Sequence, residues 1–92
     1  MSIATEPQTA SPRVEQLPPF GVILHNDDIN HMERVVEVLV QVLRIPAQQA
    51  IALMLESHND GESVVSRTHR ERAEFLRECL DEQGLLATVR RI

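Results

Sequence analysis

Three apolar residues, Val22-Ile23-Leu24, run straight into His25-Asn26-Asp27-Asp28, and a helical pattern follows within a few positions. No other stretch narrows the possible folds as much. β-branched side chains suit a covered, pleated surface, so the apolar run reads as a short buried strand. Asn and Asp side chains compete for backbone hydrogen bonds and favour turns, so the strand stops at Asn26. The simplest reading is a turn followed by a helix cap. The same junction also holds three acidic or amide groups in fixed positions at a surface, which suits ligand capture.

The chain has 92 residues, enough for one small core and not for two. Phe20 and Phe75 are its only aromatic residues, so the core has to be aliphatic, and the composition argues against a surface that stacks bases on rings. A net charge of −5 disfavours nucleic acid and anionic membranes as partners and fits a cationic ligand better. Cys79 is the single cysteine, which rules out an intrachain disulfide and a thiolate zinc site. With no apolar run of membrane-spanning length and no secretory pattern at the N-terminus, the expected location is the cytoplasm.

Residues 1–17 are polar and punctuated by proline, and read as a flexible tail before a domain over 18–92. Asn30 with Glu33 has capping-box spacing and marks the start of a first helix, whose apolar stripe is Met32, Val35, Val36, Leu39, Val42 and Leu43. Val38 and Val40 fall off that stripe, as in a helix covered on more than one side. Pro46 opens a second helix, in which Ala47, Ala50, Ile51, Met54 and Leu55 are followed by His58 one turn beyond Met54. Asn59-Asp60-Gly61 stops it, and a short strand over 62–67 follows. Thr68-His69-Arg70-Glu71 is a capping box for a third helix that Gly84 ends, and residues 85–92 form the last strand. The order β-α-α-β-α-β predicts an α+β sandwich, a three-stranded antiparallel sheet with three helices on one face.

Enzyme signatures are missing: no nucleophile elbow, phosphate loop or dinucleotide fingerprint occurs. Cys79 lies mid-helix beside core positions, where a thiol is normally inert. His25, His31, His58 and His69 with Asp27 and Asp28 offer metal-ligand atoms, but no pair of them has the His-x3-His spacing. A third chemistry is capture of an amine. Asn26 and Asp28 near the strand end, with His58 from another helix end, supply several acceptors around one point. A peptide α-amine, with a pKa of about 7.7–8.0, is mostly cationic near neutrality and needs only such acceptors and nearby negative charge.

Val-Ile-Leu-His-Asn-Asp-Asp, then Met-Glu-x-Val-Val, Ala-x-x-x-Met-Leu-Glu-x-His and Thr-x-Arg-Glu-x-Ala-Glu together resemble the ClpS family from about Pro18 to Glu74, and again over Leu85 to Val89. These are adaptors that deliver N-degron substrates to Clp-type AAA+ unfoldases. The resemblance implies a binding module without catalytic activity or cofactor. It places Asn26, Asp27, Asp28 and His58 at the substrate's α-amine. It also places Leu24, Asn30, Met32, Val35, Met54, Ser57 and Leu85 or Leu86 around the first side chain. Met32 keeps the residue that rejects β-branched Ile and Val, so the implied ligands begin with Leu, Phe, Tyr or Trp. The implied second partner is the N-terminal domain of a ClpA- or ClpC-type unfoldase, docked through Glu71. Ile29-Asn30-His31 departs from the more usual aromatic, Thr and Pro. Ser57 replaces an apolar residue, and Leu76 stands at a docking position that is basic in the family. Two alternatives remain open on the residues alone: an interaction domain of the same fold that binds no N-degron, and a His/Asp metal-binding protein.

Overall fold

The structure is a computed structural model, and it describes residues 19–92; the expected tail over 1–17 lies outside them. The elements follow the predicted order: β1 (Phe20–His25), α1 (Met32–Leu43), α2 (Ala47–Asp60), β2 (Glu62–Thr68), α3 (Arg70–Glu82) and β3 (Ala87–Arg91). β1 is the central strand, antiparallel to β2 on one side and to β3 on the other. Its Val22, Ile23 and Leu24 are all buried, as expected of a strand paired along both edges and covered on its faces.

Alternation along β1 sends Val22 and Leu24 toward the helices. There they join Val65 and Ala87 from the outer strands, Val38 and Leu39 from α1, Ala50 from α2, and Ala73, Leu76 and Leu80 from α3 in one aliphatic core. All three helices therefore lie on one face. Ile23 points to the other face, flanked in register by Val64 and Thr88. On that face Arg90 of β3 grips Glu62 of β2 with two hydrogen bonds of 2.8 and 3.0 Å. The register between β1 and β2 slips at Val22/Ile23, leaving Val65 as the extra residue of a bulge that turns its side chain into the core.

Both capping expectations need correction. The residue preceding α1 is His31, and its side chain makes no cap hydrogen bond. Asn30 lies one residue outside the cap position, and its amide nitrogen is held by Asp27 and by the carbonyl of Gly84. For α3 the cap is His69, whose Nδ1 accepts from the Arg72 N–H at 3.4 Å, while Thr68 is still the last residue of β2. Val38, off the stripe of α1, is fully buried because α1 packs against both α2 and α3. The last strand begins two residues later than expected. Gly84 (φ 87°) turns the chain out of α3, and Leu85 N–H returns to the Leu80 carbonyl at 3.1 Å before β3 starts at Ala87.

Candidate functional site

A cavity of ≈ 270 Å3 opens where the end of β1, the start of α1 and the last turns of α2 converge. Main-chain contacts bring these segments together. Asn26 N–H donates to the Gly61 carbonyl and His25 N–H to the Leu86 carbonyl, each at 3.0 Å. Gly61 has φ 91°, a left-handed conformation that only glycine adopts without strain, and its N–H closes α2 on the Ser57 carbonyl at 2.9 Å. The C-terminal turn of α2, with His58 on it, is thereby fixed beside Asn26.

The floor is apolar and covered: Leu24, Met54 and Ser57 are buried and Val35 is half-buried. Ser57 adds little polarity, because its hydroxyl donates back to the Met54 carbonyl at 2.8 Å. The rim is polar and open, formed by the exposed Asn26, Asp28, His31 and His58, with Met32 (43% exposed) leaning in from the first turn of α1. Among the described residues, none hydrogen-bonds the side chains of Asn26, Asp28 or His58, and all three residues line the opening.

Asp27 is placed differently. Its Oδ1 accepts from the N–H groups of Ile29 and Asn30 at 3.0 and 2.8 Å, and its Oδ2 from Asn30 Nδ2 at 3.2 Å. Partial burial pushes its carboxyl up, but the Asn30 main-chain and side-chain bonds and the Ile29 bond together outweigh burial and hold it below the usual carboxylate range. A depressed carboxyl stabilises the fold above its unfolded value of about 3.9 and loses that contribution as pH falls through the lower folded value. Denaturant titrations over pH 2 to 6 are therefore expected to show a shallower acid loss of stability in Asp27→Asn than in the wild type. Equal slopes would show that Asp27 is not held by these bonds.

Ten of the expected site residues converge here: Asn26, Asp27, Asp28, His58, Leu24, Asn30, Met32, Val35, Met54 and Ser57. Leu85 and Leu86 do not. Leu85 is buried in the core (2% exposed), and Leu86 is 53% exposed and meets the site only through its carbonyl on His25. Glu71 stands apart, exposed in the first turn of α3. Leu76 is buried, which removes it from the outer face of that helix. Two lining residues, His25 and His31, were missed. The His25 ring reaches Thr88 Oγ1 at 2.8 Å, a contact between residues 63 apart that local spacing does not signal; for His31, adjacency to Met32 was a usable hint.

Among the described residues no Lys or Arg lines the cavity, whereas two carboxylates do. With its histidines neutral the cup attracts a small cation and repels an anion. Among the described residues, no group of three or more His, Cys, Asp or Glu side chains is placed to hold a metal ion. No helix among them is long and apolar enough to cross a membrane.

Fold and cavity define a small α+β binding domain: an acidic, acceptor-rich rim over an apolar floor. Residues 15–88 match the family described as ATP-dependent Clp protease adaptor protein ClpS. The chain is 40% identical over 85 residues to the ClpS adaptor of Synechococcus elongatus, covering 91% of this chain and 88% of the relative. It is 42% identical over 73 residues to that of Synechococcus sp. strain CC9902, covering 78% and 70%. Among solved structures, Agrobacterium tumefaciens ClpS2 bound to L-phenylalaninamide superposes with a TM-score of 0.77 at 30% identity, covering 84% of this chain and all of that one. The chain belongs to the ClpS family of Clp protease adaptors.

Proposed function

We propose that the cavity captures the free α-amine and the bulky hydrophobic first side chain of N-degron substrates, which the protein hands to a Clp AAA+ unfoldase. The observation that carries this reading is the pairing of three unengaged polar side chains, Asn26, Asp28 and His58, with an apolar floor of one-side-chain size. An α-ammonium has three N–H donors, and the rim offers an amide oxygen, a carboxylate and a neutral imidazole nitrogen to receive them. Asp27 adds negative charge behind the loop. The bound L-phenylalaninamide of the Agrobacterium protein, a free amine beside an aromatic side chain, supports the assignment.

The magnitudes are adequate. Hydrogen bonds to a charged amine contribute about 1.5–3 kcal/mol each. Burying a Leu or Phe side chain adds about 1.5–3 kcal/mol. After the cost of ordering the peptide, affinity on the order of micromolar follows. In this reading the protein acts by binding alone, as an adaptor. Delivery places Glu71, on the outer side of α3, against the unfoldase's N-terminal domain.

A panel of peptides that differ only in their first residue tests the reading. Leu, Phe, Tyr and Trp are expected to bind, and Ala, Ser and the β-branched Ile and Val to bind at least tenfold more weakly, a difference of about 1.4 kcal/mol. Binding indifferent to the first residue would refute the pocket. Met32→Ala is expected to admit Ile and Val, because Met32 overhangs the opening where a branched Cβ enters; continued exclusion would assign the limit to another residue.

A further inference from the structure

Asn30 was expected on the pocket wall, yet its amide is committed elsewhere. Its Nδ2 sits 3.2 Å from Asp27 Oδ2 and 2.9 Å from the Gly84 carbonyl oxygen. Both partners can only accept, so the NH2 end of the amide must face them, and its two hydrogens match two acceptors. Asp27 in turn holds the N–H groups of Ile29 and Asn30. One turn along α1, Arg34 reaches the same place, with its Nη2 3.2 Å from the Gln83 carbonyl oxygen and 3.3 Å from Gln83 Oε1. The loop that carries Asn26 and Asp28 is thus tied to Gln83-Gly84, a turn between α3 and β3 that does not line the cavity.

We infer that Asn30 is a positioning residue, which fixes the Asn26–Asp28 loop by bridging Asp27 to the α3–β3 turn, its amide nitrogen committed to that bridge and not to the substrate. The inference rests on the reading of the cavity as an amine-binding cup. It explains why an amide belongs at this position. A Ser or Thr hydroxyl has one hydrogen and serves one of the two acceptors, and an Asp would face a carboxylate and a carbonyl with no donor at all.

The test has two arms. In peptide titrations, Asn30→Ala is expected to weaken binding about tenfold, the worth of a lost hydrogen bond or two. The loss is equal for Leu, Phe, Tyr and Trp first residues, because only the amine contacts are misplaced. Asn30→Thr falls between Ala and the wild type, and Asn30→Asp is no better than Ala. An unchanged affinity, or a loss that differs among first residues, would overturn the inference.

The second arm needs no peptide. In amide NMR spectra of the folded protein, Asn30→Ala is expected to shift the signals of Asn26 and Asp28 together with that of Gly84. Signals of Asn26 and Asp28 that stay in place while Gly84 moves would also overturn it. A wild type that binds no free-amine peptide refutes the amine-cup reading instead, and this second arm still decides whether Asn30 sets the loop.

Discussion

Acetylating the α-amine of a Phe-first or Leu-first peptide is expected to lower its affinity for this protein by two orders of magnitude or more. The acetyl group removes the positive charge and two of the three donors, and adds bulk where Asn26, Asp28 and His58 converge. Losing two charge-assisted hydrogen bonds at about 1.5–3 kcal/mol each gives at least a hundredfold. Fluorescence anisotropy with matched free and acetylated peptides measures it. Asn26→Ala and His58→Ala should each reproduce part of the loss while leaving the thermal unfolding midpoint unchanged, because both side chains are exposed and without partners among the described residues. If acetylated and free peptides bind alike, the polar rim does not bind the amine.

The second large effect separates the fold from the site. Leu24 and Leu39 both belong to the aliphatic core, but only Leu24 also lies in the cavity floor. Truncating either to Ala is expected to cost about 2–5 kcal/mol, a large share of the roughly 5–15 kcal/mol that stabilises a small domain. Chemical denaturation reads that loss in both variants. Peptide affinity, measured well below the unfolding transition, is expected to survive in Leu39→Ala and to fall in Leu24→Ala. Equal affinities in the two variants would remove Leu24 from the pocket.

How far sequence reaches in this protein depends on the range of the contacts involved. β1 was legible because an aliphatic run flanked by turn residues has few other fates, and α2 because Pro46 and Gly61 bracket it. The convergence of Asn26, Asp28 and His58 was legible once the order of elements was known, since a strand end and a helix end are rigid carriers. At Asn30 the decisive partner is far away in the chain. Asn30 looked like a cap because Glu33 follows at the right spacing, and nothing local reveals that Gly84, 54 positions on, takes its amide. Asp27 looked like an amine ligand, whereas most of its carboxylate is committed to its own loop. Leu85 or Leu86 was placed at the pocket by the family resemblance; the turn after α3 instead sends Leu85 into the core and leaves Leu86 outside.

The end of β1 is anchored by main-chain atoms, Asn26 N–H on Gly61 and His25 N–H on Leu86. Backbone anchoring is indifferent to which side chains follow. The scaffold of the cup is therefore inherited with the fold, whereas its lip, the exposed Ile29, His31 and Met32, carries little of the molecule's stability. Substitutions on that lip are nearly free of folding cost, so selection can retune the range of accepted first residues without first acquiring compensating changes in the core. Between paralogues of this fold, preference for particular N-termini can diverge in a few steps while the machinery that grips the amine stays as it is.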